Sequence, residues 1–129
     1  MEYTPIDARS VHILGTPYTV IVKKYDEEKD FERLGCAGLC FARRKEIVLC
    51  DMTSYKGWEN STPEDAASEQ RHILRHEIVH AFLEESGLST NSFTLENGEC
   101  AWARNEEMVD WIALQGPKIY KAWQEADAL

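Results

Sequence analysis

The chain has no run of about 18 apolar residues, the minimum for a membrane-spanning helix. Its first residues, Met1-Glu2-Tyr3-Thr4-Pro5, do not join a basic segment to an apolar one as a secretory signal does. A cytosolic chain without membrane contact is the expectation. Positive charge is also scarce: 14 Lys and Arg stand against 23 Asp and Glu, a net charge of −9. Such a surface repels phosphate backbones, and the densest basic run, Arg43-Arg44-Lys45, is too short to reverse that. Nucleic acid is therefore not an expected partner.

Paired C-x-x-C motifs are missing too. Cys36, Cys40, Cys50 and Cys100 lack the spacing of a structural zinc site, and in the cytosol they are expected to stay reduced. The first three read as small apolar residues of the interior. Asn60-Ser61-Thr62 spells a glycosylation acceptor that a cytosolic chain would not use. There is no internal repeat and no low-complexity tract.

What is present suits one domain over residues 1–129. A hydrophobic fraction of 43% with 29% charged residues supports one modest core. Residues 1–9 read as a loosely held arm. Val11–Leu14 and Tyr18–Tyr25, rich in β-branched and aromatic residues, read as a hairpin turned by Gly15-Thr16-Pro17. His12 in the first strand is read as packing or hydrogen-bonding locally. Asp26–Arg33 is a charged connector with room for one helical turn. Gly35–Phe41 and Glu46–Asp51 form a second β pair around the basic turn, where Gly35 or Gly38 would admit a close backbone approach.

A loop follows, containing Tyr55, Gly57 and Trp58. Thr62-Pro63-Glu64-Asp65 is a strong helix start, and Gly87 predicts the stop after Ser86. Gly87–Gly98 reads as a polar loop with Leu88, Phe93 and Leu95 embedded. A second helix is expected over Cys100–Leu114, broken by Gly116-Pro117, with a short terminal helix over Lys118–Ala126. The fold class is α+β: a small antiparallel or mixed sheet of about four strands packed on two helices.

The chemistry sits in the first long helix, at His76-Glu77-Ile78-Val79-His80. Residues four apart share a helix face, so His76 and His80 can offer two imidazoles to one metal ion, with zinc the expectation. Glu77 lies close beside that face, where its carboxylate can take a proton from a water held at the metal. A catalytic site needs a third protein ligand. His72 cannot be it together with both others, because three ligands at i, i+4 and i+8 span about 12 Å of helix. It reads instead as a helix-face or cleft residue with a possible substrate contact.

The second helix supplies a better candidate. Glu106 and Asp110 are also four apart, beside an apolar stripe of Trp102, Val109 and Ala113 that aims them inward. Carboxylates so placed need partners. Glu106 on the metal and Asp110 on the free ring nitrogen of a ligand histidine would provide them. Glu107 is the second choice for the third ligand. A solvated acidic face is the plain alternative.

H-E-x-x-H followed by E-x-x-x-D on a later helix resembles the gluzincin zinc metallopeptidases. The resemblance implies His76, His80 and Glu106 as zinc ligands, Glu77 as general base, and Asp110 behind a ligand. The small size resembles the minigluzincins, with a zincin-like sheet, active-site helix and glutamate helix. The pattern is also similar to the ImmA/IrrE-type proteases of phages and mobile elements, where an alanine falls three residues after the aspartate, as Ala113 does. The segments Arg75–Phe82 and Glu106–Ala113 look most like uncharacterised phage-encoded members.

The expected activity is hydrolysis of a peptide or protein substrate, such as a regulatory protein, lying extended on the Cys36–Phe41 strand. Nothing in the residues selects a particular substrate or oligomeric state. Larger gluzincins add domains that build a deep cleft and supply a helper for the oxyanion. No residue here matches those positions, leaving Tyr55, His72 and Tyr120 as candidates. Two competing readings are a zinc-stabilised protein-binding module or pseudoprotease without turnover, and a metal-free interaction protein.

Overall fold

The computed structural model describes residues 9–88 and 105–129. Strands β1 (Arg9–Ile13) and β2 (Thr16–Lys23) form the expected antiparallel hairpin. Leu14 and Gly15 turn it with positive φ of 49° and 86°, the hand that suits the twist of the strands they join. Because β1 begins at Arg9, only residues 1–8 of the expected arm lie outside the described residues. The charged connector holds the short helix α1 (Lys29–Leu34), which Gly35 ends in the left-handed region at φ 63°.

Strands β3 (Gly38–Phe41) and β4 (Glu46–Cys50) pair antiparallel around a tight helical turn at Ala42–Arg44. β4 then lies parallel to β2, so the sheet is mixed, in the order β1-β2-β4-β3. The parallel step puts β4 in the interior, and its composition fits: Ile47, Val48, Leu49 and Cys50 are all fully buried. Alternation divides them between two faces. Ile47 and Leu49 pack with Ile13, Tyr18, Val20 and Ala81, whereas Val48 and Cys50 pack with Phe31, Leu39, Met52 and Ala66.

Helix α2 (Pro63–Glu85) runs as its signals predict. Thr62 Oγ1 accepts from the Asp65 N–H at 3.1 Å, and Gly87 leaves the helix at φ 86°. Most of the expected 87–98 loop, including Phe93 and Leu95, falls outside the described residues, as do Cys100 and Trp102.

Helix α3 (Glu106–Glu125) corrects two expectations. It does not start at Cys100. Asn105 is extended (φ −76°, ψ 113°), and its side chain accepts from the Met108 N–H at 2.8 Å, which fixes the first helical residue at Glu106. Nor does Gly116-Pro117 break it, so no separate Lys118–Ala126 helix exists. Pro117 has no N–H to give the Ala113 carbonyl one turn back. Arg75 Nε of α2 donates to that carbonyl instead, at 2.8 Å. The gap in the ladder is filled from outside, and the helix continues.

α3 docks on α2 through Leu83 and Val109, flanked by Val79 and Met108. Among the described residues, no helix is long and apolar enough to cross a membrane.

Candidate metal centre

The four-residue spacing brings His72, His76 and His80 to one side of α2, and α3 lies across that side. Glu106 opens α3 and reaches both later histidines. Its Oε2 lies 2.9 Å from His76 Nε2 and 3.2 Å from His80 Nε2, and the two ring nitrogens are 3.1 Å apart. A tetrahedral zinc with bonds of about 2.0–2.1 Å separates its donors by about 3.3 Å, so this triangle has the size of one tetrahedral face. Two imidazole nitrogens and a carboxylate oxygen converging at that scale could hold a metal ion. Glu107 does not take part: it lines a separate shallow pocket with Asn105, Met108 and Trp111.

Asp110 sits one turn further along α3. Its Oδ1 lies 3.0 Å from His76 Nδ1 and 2.8 Å from His72 Nε2. A proton on His76 Nδ1, donated to Asp110, leaves the Nε2 lone pair facing Glu106 and His80. Burial alone would raise the Asp110 carboxyl, but the hydrogen bonds from His76 and His72 outweigh it and hold the group below its usual range. Burial likewise works against charge on His76, and the Asp110 bond with the nearby Glu77 and Glu106 charges reverses it upward.

His72 thus has a place that its spacing alone did not reveal. It holds Asp110 from one side, and its other ring nitrogen lies 3.6 Å from Glu69 Oε1. The sequence showed the shared face but not the partner on another helix.

Glu77 is 6% exposed and turned against the sheet. Burial pushes its carboxyl up to about 7, opposed by the His76 charge and assisted by Glu106. A carboxyl titrating near neutrality can both take and return a proton. The slot that receives it exists because residue 38 is glycine. A Cβ there would overlap Ile73 Cγ2 and lie 3.0 Å from Glu77 Oε1.

A cleft of about 460 Å³ opens over these groups, lined by Gly38, Cys40, His76, Glu77, His80 and Glu106. Its far wall is β3, which is one of the two edge strands of the sheet among the described residues. The Cys50 N–H donates to Ala37 O at 2.8 Å, making that pair hydrogen-bonded. The antiparallel alternation then turns the backbone of Gly38 and Cys40 away from β4, toward the cleft.

The described cysteines are free thiols. Cys50 is buried as expected, but Cys36 and Cys40 are only half-buried because both border the cleft. Burial pushes Cys40 up to about 12 and Cys50 up to about 11, so both stay protonated at neutral pH.

Of the three oxyanion candidates, only His72 borders the site, lining an adjoining hollow with Gly38, Glu77 and Glu106. Tyr55 packs edge-on against Tyr25 with ring centroids 5.3 Å apart, Tyr120 is exposed on the far half of α3, and His72 is bound to Asp110. His12 is exposed on β1.

Comparisons of the chain with protein-family models, with curated proteins and with solved structures find no match.

Proposed function

We propose that this chain is a zinc-dependent metallopeptidase of the gluzincin type that its two motifs resemble. One observation carries the reading: His76, His80 and Glu106 converge within the span of a single ion, with the Glu77 carboxyl buried beside them. Bound zinc would supply the Lewis acid that polarises a peptide carbonyl and acidifies a water.

The chain's own residues do the rest. Asp110 holds the His76 ring in one tautomer and orientation, so its lone pair needs no rearrangement. Glu77 takes a proton from the attacking water and returns it to the departing amine. The Gly38 and Cys40 backbone accepts the substrate as an added strand along β3, which holds the scissile bond over Glu77. A site serving only to stiffen the fold has no use for a carboxyl tuned by burial beside its ligands, which favours turnover over a binding module.

Metal content by mass spectrometry and cleavage of a peptide mixture test the reading together. About one zinc per chain is expected, lost or much weakened in Glu106→Ala. Glu77→Gln should keep the zinc and lose at least about 100-fold in turnover. A zinc-loaded wild type that cleaves no peptide, or a Glu77→Gln variant as fast as wild type, would overturn it.

A further inference from the structure

The cleft does not end at the candidate metal centre. Past Cys40 and Glu84 it opens into a second hollow of about 740 Å³, walled by Arg43, Arg44 and Lys45 of the β3–β4 turn. Three adjacent cations are conspicuous in a chain of net charge −9. Two of them are already engaged. The Arg44 guanidinium lies over the Phe41 ring, 3.9 Å from its centroid, and 3.7 Å from Glu46. Lys45 Nζ contacts Glu85 at 2.6 Å. Arg43 is exposed and has no ion pair or hydrogen-bond partner among the described residues. It is the cation free to meet a ligand.

Strand direction says which part of a peptide meets it. β3 runs from Gly38, against Glu77, to Phe41 at the basic turn. A peptide paired antiparallel to β3 runs the opposite way. Its residues N-terminal to the bond over Glu77 therefore lie toward Phe41 and the turn. At about 3.3 Å per residue, the basic wall is reached roughly three to five residues before that bond. Glu84, at the mouth shared by the two hollows, repels an acid placed nearer the centre.

We propose that the basic hollow is a specificity subsite for an aspartate or glutamate side chain roughly three to five residues N-terminal to the scissile bond, with Arg43 as its main contact. The proposal rests on the metallopeptidase reading of the neighbouring centre. The rest of the surface opposes it: a net charge of −9 draws basic peptides and repels acidic ones. A preference for acidic peptide must therefore arise locally.

Binding and cleavage separate the two ideas. Binding is read by fluorescence anisotropy on zinc-loaded Glu77→Gln protein. The probes are two 12-residue peptide mixtures, randomised except for glutamate or glutamine at every third position. The glutamate mixture should bind about three- to tenfold tighter. Adding Arg43→Glu should abolish that preference and favour a matching lysine mixture. Arg43→Ala should abolish it without the inversion, and an unchanged melting curve in either variant shows that the fold is intact.

Wild-type cleavage sites, mapped by mass spectrometry, should be enriched in acids three to five residues before the cut. Equal binding of the two mixtures, a preference that survives Arg43→Glu, or acids enriched only after the cut would overturn the subsite. Tighter glutamate binding without any wild-type cleavage would support the acidic-ligand hollow and sink the peptidase reading. Cleavage without acidic preference would do the reverse.

Discussion

Arg75 and Pro117 should be energetically coupled although they lie on different helices. Pro117 deprives the Ala113 carbonyl of its helical donor, and Arg75 Nε replaces it at 2.8 Å. Ala113 is 2% exposed, so water has little access to serve as a substitute. A hydrogen bond from a charged donor contributes about 1.5–3 kcal/mol, and an orphaned buried acceptor costs about as much. Arg75→Ala should therefore destabilise by about 2 kcal/mol. With about 2.1 cal/mol/K of unfolding entropy per residue over 129 residues, that is about 7 °C in Tm. Pro117→Ala restores an N–H for the same carbonyl. In that background Arg75→Ala should cost at least about 1 kcal/mol less, because only the packing of the arginine stem is then lost. Urea denaturation of the four proteins without metal, followed by helical circular dichroism, measures the cycle. An equal cost of Arg75→Ala in both backgrounds would refute the account of why the helix survives its proline.

Gly38→Ala should destabilise by about 1–3 kcal/mol and depress peptide cleavage, since the added methyl meets Ile73 and Glu77. Ile73→Ala in the same chain should recover part of the stability, and a fully tolerated Gly38→Ala would contradict the slot described for Glu77. Asp110→Asn should weaken zinc binding about 10- to 100-fold in chelator competition. His72→Ala should weaken it less, because Asp110 keeps His76; a His72→Ala effect as large as that of Asp110→Asn would assign His72 a direct part. Alkaline stability should fall from about pH 9 upward in reduced, metal-free protein. Burial holds the protons of Cys50 (up to about 11) and Tyr18 above their ordinary values of 9.0 and 10.0, with the Tyr18–Glu85 hydrogen bond adding to the latter. The unfolded chain releases these protons first, so folding stability is full below pH 9 and declines as pH climbs toward the folded values. A flat denaturation midpoint from pH 7.5 to 10.5 would refute it.

What could be read from the sequence was whatever its local chemistry settles. Thr62, Pro63 and Gly87 bound α2 using only neighbours in the chain, and the four-residue spacing of His76 and His80 needs nothing beyond one helix. Glu106 over Glu107 is a matter of helical phase, and Asp110 in step with Glu106 favours the residue that the structure brings to the two histidines. Less legible is whatever a distant residue decides. The sheet is mixed, within the expected class, but the parallel pairing of β2 with β4 joins strands separated in sequence by α1 and β3, and no local pattern marks it. The start of α3 is local by contrast: the Asn105 cap, next to the first helical residue, sets it at Glu106 rather than at the expected Cys100.

Pro117 is the sharper case. Its local preference is to end a helix, and the preference is overruled by a guanidinium from α2 that no window around Pro117 contains. That contact also bears on the candidate metal centre. α3 carries Glu106 and Asp110 in its first turns and the Ala113–Arg75 bond further along, and Val109 packs on Leu83 in the same interface with α2. The motif on α2 can be read in isolation, but its third donor arrives only because α3 docks in this register. The arginine that rescues the proline helps to set that register. Metal affinity should accordingly respond to Arg75→Ala, whose side chain bonds the Ala113 carbonyl on α3, and less so when Pro117→Ala lets α3 hold its own ladder.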